Sequence, residues 1–265
     1  MPKREIPDRS LVFERARQLL GLPDPSTTPP NFDPATTTST TPIKDVVFVS
    51  IDFEASERAQ KSGLKVTEVG LAILDTRALV HQPPGTDATS WLSKIVAKHY
   101  IVRENQHLVN GTYVSGSLDA FHFGTSEVRG QASTGQHLAY DLRHPPCPTA
   151  TSDGERRSIV LVGHALHNDM KYFEALGVRP YQDAWVRDTI DTQDLCCYES
   201  RLASLGDLLG RLGMEGRDTH NAGNDAVYTL RALVKMVYLW TYEGERLGEM
   251  LKPLLYPAWE EGFEI

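Results

Sequence analysis

This chain is poor in cysteine, has no surplus of positive charge and contains no long apolar run, and each shortage excludes something. Its three cysteines among 265 residues, Cys147 and the adjacent pair Cys196 and Cys197, form neither a disulfide framework nor the spaced pairs of a zinc site. Reduced, buried thiols are expected. Lys and Arg number 27 against 35 Asp and Glu, a net charge of −8. That balance argues against a protein that coats long nucleic acid by bulk electrostatics, because such binders rely on basic patches and counterion release. No stretch is apolar enough for long enough to span a bilayer, and MPKREIPDRS lacks the apolar core of a secretory signal. A soluble protein of cytoplasm or nucleus, without membrane contact, is expected.

Against these shortages stands 40% hydrophobic content with 23% charge, enough for one substantial core plus tails. We read an N-terminal helix and a Pro/Thr-rich arm over 1–43, then one domain over 44–265 with an insertion at about 81–155. The helix spans 9–21, with Ser10 as its cap and Leu11, Phe13, Leu19 and Leu20 on one side. It could pack on its own domain or dock a protein partner. Residues 22–43, rich in Pro and Thr, read as a linker or extended arm outside the core.

The domain opens with Val46 to Ile51, a mostly β-branched or aromatic run that reads as a central strand buried on both faces. Further strands are expected at Thr67–Leu74 and His99–Arg103, with a short helix around Trp91–Ala97 between them. Residues 105–157 read as mostly loops with a helix before Pro145. Order returns with strands at Ser158–Val162 and Trp185–Arg187, the first followed by a helix. A helix at Leu202–Leu212 and a long one at Ala222–Trp240 end the reading, the latter with Ala226, Val227, Leu230, Leu233, Val234 and Val237 as its apolar stripe. A three-strand meander followed by strand-helix units points to an α/β domain with a mixed sheet flanked by helices.

Acids gather where such a fold places sites, at strand ends. Asp52 and Glu54 terminate the first strand, and in extended chain they leave the same face with Cα atoms roughly 7 Å apart. Asp169 follows the strand at Ser158, and Asp225 lies in the first turn of the long helix, five residues after His220. Singly these are ordinary strand-end or helix-start acids. Two acids ending a buried strand are costly unless paired or metal-bound. Four carboxylates suit hard divalent cations, which neutralise a phosphodiester and activate water. In that scheme Asp52 bridges two ions, Glu54 and Asp225 complete the water site, Asp169 serves the second ion, and His220 accepts the proton. His164 and His167 are rival bases near Asp169. Phe53 and Ala55 flank Glu54 and either line a pocket for the terminal base and sugar or simply pack, and Trp91 and Tyr100 read better as core than as base-stacking groups.

Together DFE at 52–54, HNDMKYF at 167–173 and H-x4-D at 220–225 resemble the three motifs of the DEDDh exonucleases. TEVGLAILDT, and IDT before SLGDLLGRLG, match that family in order and spacing, so the resemblance covers residues 45–240. Within it, HYIVREN and FHFGTSE look like the Gfd-like fungal subgroup, related to the nuclease domain of quelling-associated proteins. The resemblance implies an RNase H-like fold and 3′-to-5′ removal of nucleoside 5′-monophosphates from the 3′ end of single-stranded RNA or DNA, with two Mg2+ or Mn2+ ions. It implies Asp52, Glu54, Asp169 and Asp225 as metal ligands and His220 as the base. A catalytically silent RNA- or protein-binding module of the same fold and a phosphodiesterase for small nucleotides are the competing expectations.

Overall fold

The computed structural model describes residues 7–38, 44–56, 63–108, 118–146, 157–197 and 202–252. Cys147 and residues 39–43 of the arm lie outside them. Six strands form one sheet: β1 (Val46–Ala55), β2 (Val66–Asp75), β3 (Val96–Val102), β4 (Ser126–Arg129), β5 (Ser158–Gly163) and β6 (Val186–Asp191). Their spatial order is β4-β3-β2-β1-β5-β6. β1, β2 and β3 pair antiparallel, whereas β1–β5, β5–β6 and β3–β4 are parallel. The expected meander is present, and β5 lies parallel beside β1 in a mixed sheet.

Alternation along β1 sorts its side chains into two cores. Val46 and Phe48 face a cluster shared with α1 (Arg9–Leu20) and α8 (Ala222–Tyr242). Val47, Val49, Ile51 and Phe53 face the other, closed by Leu138 and Leu142 of α3 (Gln131–Arg143) and Phe173 of α4 (Met170–Ala175). Central burial on both faces is what the continuous apolar run requires. Asp52 and Glu54 continue the even-numbered face, so they point to the side that α8 covers.

Several boundaries differ from the sequence reading for local reasons. Asp8, not Ser10, caps α1: its carboxylate accepts the Ser10 N–H at 2.9 Å. Leu11 is then 70% exposed, and Val12, Phe13, Ala16 and Leu20 form the buried face. Phe13 stacks on Trp240 of α8 with centroids 5.5 Å apart, so that apolar face is spent on the protein's own core. The arm is not wholly outside the core either, since Leu22 is buried and Phe32 lies 6.0 Å from the Tyr242 ring.

α2 (Thr89–Leu92) stops before Ala97, because Val96 and Ala97 already pair with Ile73 and Ala72 in the sheet. The short polar strand β4 was not expected in the 105–157 stretch, and it exists by pairing with β3. β6 runs on through DTID to Asp191 instead of ending at Arg187. α5 (Pro180–Asp183) and α6 (Thr192–Leu195) bracket it. α7 (Leu205–Arg211) starts later than Leu202, where Ser204 and Asp207 form a capping box. α9 (Gly244–Leu251) closes the described chain. No described helix is long and apolar enough to cross a membrane.

Candidate active site

Gly70 is the residue that brings the two halves of the site together. It lies opposite Asp52 in the β1–β2 pair, on the face toward α8. A Cβ built there would stand 1.8 Å from the Ala222 carbonyl oxygen. Only glycine lets the first turn of α8 rest on β2 at this point, and that turn contains Asp225. The helix start is secured by Asn221, whose side chain accepts the Asn224 N–H at 3.1 Å.

Asp169 arrives from the other side. β5 ends at Gly163, beside β1, and the chain turns through Ala165 at φ 65° before Asp169 begins α4. Asp191 at the end of β6 fixes this turn by accepting the Ala165 and Leu166 N–H groups at 2.9 and 3.0 Å. His164, a rival base, is bound at both ring nitrogens, 3.0 Å from Thr192 Oγ1 and 3.0 Å from the Ala203 carbonyl. His167 is exposed beyond the turn.

His220 sits on the loop before α8 with φ 70°, and its N–H donates to Asp225 Oδ2 at 2.8 Å. Its Nδ1 lies 3.9 Å from Glu54 Oε1. Glu54, His220 and Asp225 each present an atom within 4.8 Å of the others, so the two carboxylates can share one cation with the histidine ring beside it. Asp225 Oδ1 is buried with no hydrogen-bond partner. An orphaned carboxylate oxygen is costly, and a hard cation would satisfy it. The residues therefore fit a divalent cation.

Electrostatics agree with that fit. Burial, then the charges of Asp225, Asp169, Glu54 and Glu68, pushes Asp52 well above the usual carboxylate range. Burial, reinforced by Asp191 and opposed by Lys171, raises Asp169 to about 8. Asp225 rises to about 7, again chiefly by burial, with the His220 N–H pulling the other way. Carboxylates crowded this way either keep protons or take up cations. His220 is lowered below its ordinary value by burial, which keeps its ring neutral and able to accept a proton.

Three contributors were missed in the sequence. Glu68 is buried opposite Glu54, accepts the Ala222 N–H at 3.3 Å and lies 2.8 Å from His99 Nε2. His99 Nδ1 in turn meets Ser126 Oγ at 2.9 Å, tying the insertion to the start of α8. Asn224 does the same: its Oδ1 accepts the His122 N–H at 3.0 Å, and its Nδ2 donates to the Ala120 and Asp218 carbonyls at 2.8 and 3.1 Å. The only sequence signal was an acid and a glycine two residues apart on the strand after DFE.

Phe53 is buried edge-on to Phe173, centroids 4.9 Å apart, on the face opposite Asp52, whereas Ala55 follows an irregularity in the β1–β2 register and is half-buried. Trp91 and Tyr100 are both 1% exposed. Cys196 and Cys197 are buried free thiols, the former pushed up to about 12 by burial.

A mixed sheet with strand-end carboxylates, a helix-start aspartate and an adjacent histidine defines a DEDDh-type domain of RNase H-like fold. The chain belongs to that family: the family model described as DNA polymerase III subunit epsilon-like, C-terminal domain, matches residues 47–236. It is 30% identical over 201 residues to an uncharacterised nucleolar protein of Schizosaccharomyces pombe, spanning 73% of this chain and 70% of that protein. It is 27% identical over 205 residues to Good for full DBP5 activity protein 2 of Saccharomyces cerevisiae, 70% of this chain but 34% of that one. Among solved structures it is similar to the nuclease domain of 3′hExo, a DEDDh family member bound to rAMP, at 14% identity and TM-score 0.46 over 74% of this chain and 94% of that one. The Mg2+- and Mn2+-bound form of S. pombe Pop2p is similar at 12% identity and TM-score 0.40 over 75% and 84%.

Proposed function

We propose that this protein is a divalent-metal-dependent 3′-to-5′ exonuclease that releases nucleoside 5′-monophosphates from single-stranded RNA or DNA. The observation that carries the reading is the meeting of Glu54, His220 and Asp225 beside Asp52, with a buried Asp225 oxygen left without a hydrogen bond. Asp52, Glu54, Asp169 and Asp225 hold the ions in this reading. Mg2+ or Mn2+, when bound, neutralises the scissile phosphate and makes water nucleophilic at neutral pH. His220, half-exposed and held neutral, accepts the proton of the attacking water, and Glu54 Oε1 beside its Nδ1 orients the ring. The Glu68–His99 pair and the Asn224 bonds fix the helix start from which Asp225 and His220 project.

A nuclear location is part of the proposal, motivated by the nucleolar relative in fission yeast. A protein partner held by α1 has no support, because the apolar face of that helix is already buried. The test is a 5′-labelled single-stranded RNA and the matching DNA, resolved on a sequencing gel after incubation with Mg2+, Mn2+ or EDTA. A metal-dependent ladder that shortens from the 3′ end is expected. Intact substrate in every lane, with the protein folded, would overturn the reading in favour of a silent binding module, and cleavage confined to dinucleotides would favour a small-substrate enzyme.

A further inference from the structure

Two cavities lie end to end along the outer side of β6, and nothing described so far uses them. The first, of about 460 Å³, opens at Leu166, His167 and Met170, the residues on either side of Asp169. The second, of about 480 Å³, is lined by Arg143, Trp185 and Arg187. Tyr181 lines both, so they form one groove. It follows the edge strand from Asp191 back to Val186, roughly 17 Å at ~3.3 Å per residue.

The chemistry of this groove differs from the rest of a chain whose net charge is −8. Aromatic rings stand open to solvent, Tyr181 at 55% and Trp185 at 43% exposure. The Arg187 guanidinium lies 4.8 Å over the Trp185 ring. Arg15 and Arg143 are exposed at the rim. Asp194, which also lines it, is buried, and the other acids along the groove are engaged within the protein. Asp188 pairs with Arg15 at 2.8 Å, Asp183 accepts the Arg179 N–H at 2.7 Å, and Asp191 accepts the N–H groups of the Asp169 turn. Exposed rings interleaved with guanidinium groups are the pattern that stacks bases and tracks phosphates without reading sequence.

We infer that this groove binds the single-stranded body of a nucleic acid whose 3′ end lies at Asp52 and Asp169, with Tyr181 and Trp185 as stacking platforms and Arg187 and Arg143 as phosphate contacts. The inference rests on the exonuclease reading for its polarity only. A strand leaving the carboxylates past His167 meets Tyr181 first and Trp185 further on, so a long substrate gains contacts that a dinucleotide cannot reach.

The test separates the groove from the chemistry. In EDTA the carboxylate cluster repels phosphate, so anisotropy of a 5′-fluorescein single-stranded RNA of about 12 nucleotides reads the groove alone, within the ~4–16 nucleotides such surfaces track. Trp185→Ala and Arg187→Ala, checked for folding by circular dichroism, should each weaken that binding about 5- to 100-fold, the effect of losing one base stack or its cation. In Mg2+ they should raise KM for the long strand by a similar factor and change kcat little, with dinucleotide hydrolysis much less affected. Arg246→Ala, an exposed arginine on α9, should do none of this. Unchanged binding in both variants, no binding by the wild type, or equal losses on long strand and dinucleotide would overturn the inference. Wild-type protein that binds RNA in EDTA through Trp185 yet hydrolyses nothing in Mg2+ or Mn2+ would sink the exonuclease reading and leave the groove standing.

Discussion

Asp52 and Glu54 reach the site from a strand hydrogen-bonded on both sides at its base, whereas His220 reaches it from a loop with two non-glycine residues, Asp218 and His220, at positive φ. The first arrangement comes from the sheet itself and would survive most changes at the surface. The second is held by a few bonds: the His220 N–H to Asp225, Asn224 to the Asp218 carbonyl, and His122 to the Asp218 carboxylate at 2.6 Å. A left-handed conformation at a residue with a side chain costs about 1–3 kcal/mol, so the surroundings must impose it. The carboxylates, for their part, are crowded and unhappy without cations. Geometry is thus secure where electrostatics are poor, and insecure where electrostatics are undemanding.

The largest effects should come from breaking each half directly. Asp52→Ala should reduce turnover by about 10³-fold or more, since it removes charge stabilisation at the reacting phosphate. His220→Ala should cost roughly 10²- to 10⁴-fold, the range for a lost general base. Their stabilities should diverge from their activities. Removing Asp52 relieves the cost of burying a carboxyl group, and its crowding by Asp225 and Asp169, so the variant should melt no lower than wild type in EDTA. A clear fall in melting temperature for Asp52→Ala would show that the carboxylate is structural.

Gly70→Ala strikes the joint between the halves. Its Cβ has no room beside the Ala222 carbonyl, so the first turn of α8 must shift and take Asp225 with it. Destabilisation of about 1–3 kcal/mol or more is expected, together with loss of activity. Wild-type melting and turnover would mean that α8 does not seat on β2 as described.

Asn224→Ala sharpens the comparison where the loop meets the start of α8. It deletes three bonds that join the insertion, the loop and the helix start, at a cost of about 1–3 kcal/mol. Turnover should fall more than Mn2+ affinity does. If both fell together, the loop and the carboxylates would be one unit rather than two.

The remaining effect is on stability against pH. Asp169 and Asp225 hold protons in the folded state up to about 8 and about 7, while in the unfolded chain an aspartate releases its proton near ~3.9. Between these values the folded state binds more protons than the unfolded one, so stability falls as pH rises through that window. In EDTA the melting temperature should decline from about pH 5 to about pH 8, and saturating Mg2+ or Mn2+ should flatten the decline by binding the ionised site. A melting temperature that rises over that range would contradict the assigned burial.

What could be seen in the sequence was local. DFE at the end of an apolar run, HND after another and H-x4-D at the start of a striped helix each show within a few residues. The meander that pairs β1 with β2 and the flanking helices followed from patterning. The hidden parts depend on contacts between distant residues. Glu68 and His99 are 31 apart, and Glu68 and Ala222 are 154 apart. Gly70 looks like an ordinary strand glycine until α8 is laid across it. β4 and DTID are polar enough to pass for loop, because edge strands need not be apolar on both sides. Ser10 and Leu11 were misread by a shift of one or two positions, the usual uncertainty of a helix start.

The central claim is a division of labour between carboxylates, held by β1 and by two helix starts, that bind cations and a loop-held histidine that moves a proton. Calorimetric titration of Mn2+ into wild type, Asp52→Asn and His220→Ala, with turnover of single-stranded RNA measured on the same samples, tests it most directly. The account predicts that both variants lose turnover, that Asp52→Asn loses Mn2+ binding, and that His220→Ala keeps it. Loss of Mn2+ binding in His220→Ala, or its retention in Asp52→Asn, would contradict the assignment.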